Sequence, residues 1–524
     1  MKKLLTLLFV AVAAIAAHAT DYDVPVTVTV NDVVTEQKGI ISVVEHDGLY
    51  DLTVKNFILQ GEDPQYVGNV EVKNIKPYQD GNATLLMSNQ TVQIVEGDDP
   101  NAPYWLGPML PPIPMELRGK IQNGELRCYL DIDMRESIQE FIKVSIGGGY
   151  QMPNQSFENW HTSATDKNNN QYYEPNRWHS FESATGNLAA MAGHHITKST
   201  DAHSGELSAR IFATSIFGIV ANGTMTTGRM NAGSMSASDV ANNAYTDMSS
   251  TDVDGNGDPF YLPLVSRPDS IVAWVKFQQG KANADHPYAT ISAVITDDTR
   301  YQDPEDKTYT NVVAKAKNNT IATTNGQWVR VSAPFVYEEN NVNPEAILIT
   351  VSTNADPGQG SAKDSVLVDD IALIYNAQAT GITVKGKAIA DFSSDKTEYD
   401  IEVSGNITAD DIQVTTNGKA AHVVKTIEDI DDITFAYITI IGGDMATTTN
   451  YTINIKETPL LLGDANGDGT VDMKDATSIM NYLLGTPDKY FNAEAADANG
   501  DKEINMPDIM FIVNYVINGK FPKE

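Results

Sequence analysis

The sequence predicts a mainly β protein of several domains that ends in a small α-helical module. Valines alternate with polar residues near the start, and Asp-Gly and Asn-Gly pairs separate strand-like runs. An acidic loop beginning at Asp464 recurs at Asp497. A period of two is typical of half-buried strands, and these glycine pairs favour tight hairpins. With 524 residues, the chain has room for about three or four domains.

Composition restricts the possible partners. The 36 Lys and Arg residues against 69 Asp and Glu residues give a formal net charge of -33. This charge argues against nucleic acid and anionic membranes as partners, because both require a cationic face. Cys128 is the single cysteine, which excludes an intrachain disulfide and a cysteine-built zinc or iron–sulfur site.

Residues 1–19 have the features of a signal peptide. Lys2 and Lys3 precede an apolar run over residues 4–17, and Ala17-His18-Ala19 forms a small-x-small cleavage site. The apolar run is too short to span a bilayer. We therefore expect a secreted or cell-surface protein without an integral membrane segment; a periplasmic location is the alternative.

Residues 20–136 are predicted to form an antiparallel β domain. Alternating valines open it: Val24, Val26, Val28 and Val30. Asp47-Gly48 and Asn123-Gly124 predict hairpin turns, and Cys128 shares its strand phase with apolar neighbours, as a core residue would. The segment resembles the calycin-like β-barrel domains of exported proteins. The resemblance implies a barrel whose interior holds either an apolar ligand or its own side chains.

Residues 145–378 are predicted to form a β-sandwich, because strand-like runs recur without a long helical period. Three motifs occur in order: Phe-Glu-Asn-Trp at 157–160, Ser-Gly at 204–205, and Val-Asp-Asp-Ile-Ala-Leu at 368–373. They resemble the motifs of jelly-roll carbohydrate-binding modules. The unit as a whole is similar to the PCMD carbohydrate-metabolism domain of exported glycan-utilisation proteins. The resemblance implies a jelly-roll fold and a role with carbohydrates.

A buried carboxylate is expected in the last strand of this sandwich. Asp369 shares its phase with Leu367 and Ile371, and a carboxylate among core residues needs a partner. The jelly-roll resemblance implies a structural Ca²⁺ held by Glu158 and Asp369, with Asp370 as a substitute ligand. The alternative is a carboxylate that caps backbone amides or pairs with an arginine.

Aromatic side chains near the start of the sandwich are candidates for sugar binding, which uses flat ring faces. They are Trp160, Tyr172, Tyr173 and Trp178. The alternative is that they fill the core. Five histidines lie between His161 and His203, but none has HExxH spacing, and no catalytic constellation is evident. An acidic run over residues 252–258 looks like a calcium loop, but no amphipathic helix follows it, and a solvated acidic turn is the favoured alternative.

Residues 379–457 contain about seven short strand-like pieces, which suits an immunoglobulin-like sandwich. Ile-Thr-Val at 382–384 and Asn-Tyr-Thr-Ile-Asn-Ile at 450–455 resemble the cadherin-like and immunoglobulin-like spacer modules of surface proteins. Nothing in this segment indicates chemistry, so we interpret it as a spacer.

The last segment, 458–524, contains two predicted calcium loops. Oxygen ligands of the first are Asp464, Asn466, Asp468, Thr470 (carbonyl), Asp472 and Asp475. Those of the second are Asp497, Asn499, Asp501, Glu503 (carbonyl), Asn505 and Asp508. This spacing turns alternate oxygens toward one point. The sixth position is Gly469 in the first loop but Lys502 in the second, which predicts a weaker second site.

Each calcium loop leads into one helix. The apolar helix faces also repeat: Ala476, Ile479, Met480 and Leu483, then Ile509, Ile512, Val513 and Val516. A loop followed by a single helix resembles the dockerin module. The resemblance implies two bound Ca²⁺ and a cohesin-like protein partner. Partner choice then falls to loop positions 10 and 11: Met473, Lys474, Met506 and Pro507.

The sequence as a whole predicts an exported, non-catalytic carbohydrate-binding or glycan-utilisation accessory protein. Its dockerin-like module would attach it to a partner in a Ca²⁺-dependent manner, and its ligand would be a polysaccharide or an oligosaccharide. One alternative is a glycan-active enzyme, similar to a glycoside hydrolase, that uses the jelly-roll domain. The other is a structural surface or adhesion protein.

Overall fold

The computed structural model describes residues 18–30, 33–60, 63–135, 139–430, 433–488 and 490–521. Residues 1–17 of the predicted signal peptide therefore lie outside the described residues. Two compact units meet in sequence between Gly148 and Gly149. No helix within the described ranges is long and apolar enough to cross a membrane.

The first unit is a closed, antiparallel eight-stranded barrel. Its strands are β1 (His18–Val30), β2 (Val33–His46), β3 (Leu49–Leu59), β4 (Gln65–Asp80), β5 (Ala83–Val92), β6 (Ile113–Gln122), β7 (Glu125–Met134) and β8 (Glu140–Ile146). Each strand pairs with the next, and β1 pairs with β8 so that Val26 lies opposite Ile146. The closed barrel leaves no open sheet edge.

The predicted hairpin turns of the barrel are present. Asp47 and Gly48 have φ values of 49° and 75°, and Asn123 and Gly124 have 53° and 79°. Two successive left-handed residues are the geometry that asparagine, aspartate and glycine favour in a two-residue hairpin. Cys128 is fully buried among the apolar side chains of the interior, and burial raises the pKa of its thiol to about 12.

The barrel extends beyond the boundary at residue 136 that the sequence predicted. Strand β8 pairs with both β7 and β1, so residues 140–146 belong to the barrel and not to a linker. Local alternation cannot reveal this boundary, because closure depends on the pairing between the first and last strands of the unit.

The second unit begins with a β-sandwich of two antiparallel sheets. The five-stranded sheet has the order β11 (Ile196–Ser199), β12 (Ser208–Phe212), β26 (Ser365–Ile374), β19 (Ser270–Gln278) and β23 (Val329–Pro334). The six-stranded sheet has the order β15 (Thr224–Thr226), β25 (Ala346–Ser352), β20 (Ala289–Thr296), β22 (Val312–Ile321) and β24 (Val336–Tyr337), with β18 (Leu262–Pro263) beside β25. Apolar residues from both sheets, such as Phe277 and Ile349, form one buried core.

Smaller elements surround this sandwich. They are the hairpins β9 (Trp160–Thr165) with β10 (Gln171–Pro175) and β13 (Thr214–Ile216) with β14 (Ile219–Ala221), helix α1 (Ala189–Ala192), and the sheet β16 (Arg229–Ala232), β17 (Asn242–Tyr245) and β21 (Gln302–Asp303). Met230 and Ala244 of the small sheet pack on Val294 and Leu348 of the six-stranded sheet. The small sheet therefore covers part of the face that points away from the main core.

Seven strands follow the large sandwich within the described part of the chain. One sheet has the order β28 (Lys387–Ala388), β27 (Ala379–Val384) and β30 (Ile412–Thr416). The other has the order β29 (Glu398–Ser404), β33 (Thr448–Thr458), β32 (Ile433–Ile441) and β31 (His422–Ile430). Tyr399, Ile438 and Tyr451 lie in the core between them.

Three helices complete the described chain: α2 (Met473–Leu483), α3 (Ala493–Ala496) and α4 (Met506–Asn518). Ile479 of α2 and Ile512 of α4 are fully buried in their common core. The sequence placed Met480, Leu483 and Val516 in the same seam, but they are 37%, 40% and 41% exposed. Two short helices bury only a narrow stripe of each surface, so the outer apolar positions stay accessible.

A buried carboxylate in β10 generates a pH prediction. Glu174 accepts hydrogen bonds from the Ser180 amide and the Ser163 hydroxyl, and burial together with the Glu182 carboxylate raises its pKa to about 7. An unfolded glutamate titrates near pH ~4.3. Between these values the native state binds more protons than the unfolded state, so stability should fall as pH rises through this window.

Glu174→Gln keeps the shape and the acceptor but cannot ionise. In thermal unfolding of the full-length protein, the wild type should lose several degrees of melting temperature between pH 5 and pH 7.5. The variant should lose less. Glu206→Gln, which changes an exposed carboxylate, is the control and should follow the wild type. A Glu174→Gln profile parallel to that of the wild type would contradict the assignment.

Candidate functional site

The first calcium loop is held together by carboxylates that accept hydrogen bonds from loop amides. The two oxygens of Asp464 accept from the amides of Asp468 at 3.0 Å and Gly469 at 2.9 Å. Asp475, in the first turn of α2, accepts from the amides of Asn466 at 3.0 Å and Asp472 at 2.8 Å. The carboxylates at the first and last ligand positions therefore both bind amides of the same loop.

Negative charge is concentrated inside this loop. Burial, with the Asp468 carboxylate beside it, raises the pKa of Asp464. Burial and the carboxylates of Asp464 and Asp468 likewise raise the pKa of Asp475. A divalent cation would offset this repulsion and accept the same oxygen donors.

The second loop repeats the arrangement. Asp497 accepts from the Lys502 amide at 2.8 Å, and Asp508 accepts from the amides of Asn499 and Asn505. Oδ1 of Asp497 is buried without a hydrogen-bond partner. An unpartnered oxygen at the first ligand position, within an all-oxygen donor set, fits a hard cation such as Ca²⁺.

The sixth loop position requires a left-handed backbone in both loops. Gly469 has a φ of 83° and Lys502 a φ of 68°. A side chain in this conformation costs about 1–2 kcal/mol, whereas glycine adopts it without strain. This strain in the second loop is consistent with the predicted weaker second site.

The predicted partner residues lie in the first helical turns that follow the loops. Met473 and Met506 are 52% and 51% exposed and begin α2 and α4. The exposed Lys474 ammonium lies 3.4 Å from carboxylate oxygens of Asp468 and Asp472, and Pro507 is the second residue of α4. The internal repeat thus presents two similar surfaces, each with an exposed methionine.

Three sandwich carboxylates, the predicted ligands of the jelly-roll cation, lie around the loop at residues 203–207. Glu158 accepts from the amides of Glu206 and Leu207. Asp369 accepts from the amides of His203 at 2.8 Å and Ser204 at 3.3 Å. Asp370 contacts the imidazole of His203 and the hydroxyl of Ser204. Burial raises the pKa of Asp369 to about 6. Backbone amides bind both oxygens of Asp369 and one oxygen of Glu158, so the geometry of these two carboxylates matches the amide-capping alternative, and the cation stays a prediction.

The four predicted sugar-binding aromatics do not form one platform. Trp178 is fully buried and packs on Phe157 with ring centroids 5.4 Å apart. Its predicted sugar contact is therefore wrong, because a sugar can stack only on an accessible ring. Trp160 and Tyr173 share the ammonium of Lys198, at 5.9 Å and 4.3 Å from their ring centroids. Tyr172 instead stacks on the ring of His194.

The carboxylates of the acidic turn at 252–258 contact different partners, which include two of the five histidines. Asp254 is turned inward, with Oδ2 lying 3.3 Å from His161 Nε2 and 3.7 Å from His179 Nδ1. The other two carboxylates of the turn pair with arginines: Asp252 with Arg229 and Asp258 with Arg177. The carboxylates of this turn therefore do not surround one point as those of a calcium loop would.

A groove that sequence reasoning missed lies on the outer face of the six-stranded sheet. It has a volume of about 380 Å³, within the usual range for small-molecule sites, roughly 300–1,000 Å³. Hydroxyl side chains of β20 and β25 form its floor: Thr290, Ser292, Thr350 and Ser352. Their alternation with core residues such as Ile291 and Val351 was a signal that the sequence contained.

Models of known protein families match the first and the last domain of this protein. Residues 462–517 match the family model of the dockerin type I domain, and residues 19–148 match that of the calycin-like beta-barrel domain. Residues 462–517 form a dockerin type I domain. Dockerin type I domains bind calcium and occur in extracellular proteins. No curated protein matches the chain.

Two solved structures show weak similarity. One is the CBM22-1–CBM22-2 tandem domain of Paenibacillus barcinonensis Xyn10C, at 10% identity, 68% of this chain, 92% of that chain and a TM-score of 0.19. The other is the Bacillus thuringiensis insecticidal crystal protein Cry7Ca1, at 6% identity, 68% of this chain, 52% of that chain and a TM-score of 0.17. These scores are too low to assign a fold or a ligand.

Calcium titration calorimetry tests the sixth position of each dockerin loop. Lys502→Gly removes backbone strain and should tighten the second site about fivefold, the equivalent of about 1 kcal/mol. Gly469→Ala is the reciprocal variant. A Cβ there meets no atom within 4 Å, so any loss at the first site would report backbone strain alone. An unchanged affinity in Lys502→Gly would contradict the argument.

The same titration tests the predicted cation site of the sandwich. If the sandwich holds a third calcium ion, Glu158→Gln should remove that binding event.

Proposed function

We propose that this protein is an exported, non-catalytic glycan-binding accessory protein that a Ca²⁺-loaded dockerin domain attaches to a cohesin-like partner. The observation that carries the proposal is the duplicated loop–helix unit, in which equivalent carboxylates bind equivalent amides. Each loop fixes the start of the helix that follows it. Calcium bound at two such loops would therefore set the relative position of two partner-binding surfaces.

The exposed side chains of the dockerin domain favour a partner with an apolar face. Met473 and Leu484 on α2 and its end, and Met506 and Ile517 on α4, are all more than half exposed. Residues at loop positions 10 and 11 are not the hydroxyl pairs familiar in cellulosomal dockerins. The partner is therefore better sought among cohesin-like modules of other surface proteins than among cellulosomal scaffolds. Docking within the same chain is the alternative arrangement.

Glycan binding is assigned to the large sandwich. It rests on the motifs at 157–160, 204–205 and 368–373, and it is supported by two contacts between them: Asp369 accepts from the Ser204 amide, and Glu158 accepts from the Glu206 amide next to the Ser-Gly pair. A structural Ca²⁺ at Glu158, Asp369 and Asp370 is part of the proposal. Trp160 and Tyr173 on the β9–β10 hairpin, with Tyr172, are its candidate ring contacts.

Substitution of the exposed methionines tests the docking surface. The double variant Met473→Glu/Met506→Glu places a charge on each apolar surface and should weaken capture by a cohesin panel at least tenfold. Excess chelator should abolish capture by the wild type. Met109→Glu is the matched control, because Met109 is also exposed, at 73%, but lies in the barrel unit. Capture that survives both chelator and the double variant would refute the docking proposal.

A glycan screen of the full-length protein tests the assigned activity. We expect retention of a glycan without release of reducing sugar over hours. Release of reducing sugar would favour the glycan-active enzyme. A protein that binds a partner but no glycan in the panel would favour a structural or adhesive role, and either result would overturn the proposed function.

A further inference from the structure

Three residues that line the groove on the six-stranded sheet each have a buried side-chain oxygen without a hydrogen-bond partner. These oxygens are Asn222 Oδ1, Asn243 Oδ1 and Thr290 Oγ1. Asn243 and Thr290 are only 4% and 8% exposed. Each unpartnered polar atom destabilises the folded protein in the absence of another donor or acceptor.

The two asparagines have a fixed orientation. Asn243 Nδ2 donates to the Val240 carbonyl at 2.8 Å, and Asn222 Nδ2 donates to the Asn354 carbonyl at 3.2 Å. Rotating either amide by half a turn would set an oxygen against a carbonyl oxygen. The unpartnered asparagine oxygens are therefore acceptors, and a complementary ligand must supply donors to them, such as hydroxyl or N–H groups.

The groove carries little net charge. Its lining includes one carboxylate, Asp303, and one ammonium, Lys317. The Asp303 carboxylate also lies within hydrogen-bond range of Ser292 in the floor, at 3.4 Å. A balanced lining gives no advantage to an anionic sugar or a phosphate, so the complementary ligand is neutral.

The walls are mainly aliphatic and sulfur-bearing; Phe181 is the aromatic residue of the lining, and its ring packs on that of His195 with centroids 4.5 Å apart. They include Leu188, Met191, Ile219, Met230 and Met235. Met191 and Met235 are each 44% exposed, so the apolar surface is open at the rim. Such flexible side chains close around a small alkyl group better than they stack on the broad face of a pyranose ring.

We propose that this groove binds a neutral saccharide unit that carries a methyl group, in a 6-deoxyhexose or in an N-acetylhexosamine. The sugar hydroxyls would donate to the buried acceptors, and the methyl group would lie against the methionine-rich wall. The inference rests on the proposed glycan-binding function. It adds the position of the site and the class of sugar.

Ligand titration of the full-length protein with free monosaccharides tests the proposal. The probes are D-fucose, D-galactose, N-acetyl-D-glucosamine, D-glucose and D-glucuronic acid, and binding is followed by ligand-observed NMR. The wild type should bind D-fucose at least fivefold more tightly than D-galactose, or N-acetylglucosamine at least fivefold more tightly than glucose. The first pair tests a 6-deoxy methyl group and the second an acetyl methyl group. Glucuronic acid should bind no better than glucose.

Two groove variants locate the site. Thr290→Val should weaken binding about fivefold to tenfold without lowering the melting temperature, because the lost hydroxyl has no partner in the protein. Met235→Ser should reduce the preference for the methyl-bearing sugar. Thr439→Val, which removes a hydroxyl bonded to Asn450 in the immunoglobulin-like sandwich, is the control and should bind normally.

The outcomes separate this inference from the function on which it rests. If a glycan binds but Thr290→Val and Met235→Ser leave its affinity unchanged, the groove is wrong and glycan binding stands. If parent sugars or the uronide bind as tightly as the methyl-bearing sugars, the assigned sugar class is wrong. If no glycan in this panel or the wider screen binds the wild type, both the function and the groove assignment fall.

Discussion

Carboxylates that accept hydrogen bonds from backbone amides hold the irregular parts of this protein in place. Asp475 and Asp508 close the two dockerin loops, and Asp369 fixes the loop at residues 203–207 of the sandwich. Strands satisfy their own amides, but loops need other acceptors. The acidic composition therefore has a structural use besides its effect on solubility and partner choice.

The same interaction explains why cation binding and loop order are coupled in the dockerin domain. Asp464 binds the amides of Asp468 and Gly469 through both oxygens, so its carboxylate is already positioned at the centre of the loop. Asp468, at the fifth position, adds negative charge there. A cation would relieve repulsion that the amides alone cannot offset, and each helix begins within the segment that the cation orders.

In the large sandwich, the structure separates two roles that the sequence could not distinguish. Trp178 belongs to the core with Phe157, whereas Trp160 and Tyr173 are half-buried beside Lys198. The groove takes its floor from strands β20 and β25, which are far apart in sequence, and its walls from the small elements around them. A ligand site of this kind is assembled by sheet order, which places distant segments side by side.

The sequence by itself determined the local features: the hairpins at Asp47-Gly48 and Asn123-Gly124, the burial of Cys128, and the oxygen spacing of both calcium loops. These depend on short-range backbone geometry and strand phase, which neighbouring residues set. Only the tertiary structure decided that β8 closes the barrel, that Trp178 is buried, that Met480 and Leu483 stay exposed, and that Asn222, Asn243 and Thr290 share one groove. Each of these depends on which distant segment packs against a given face, and a local pattern carries no record of that partner.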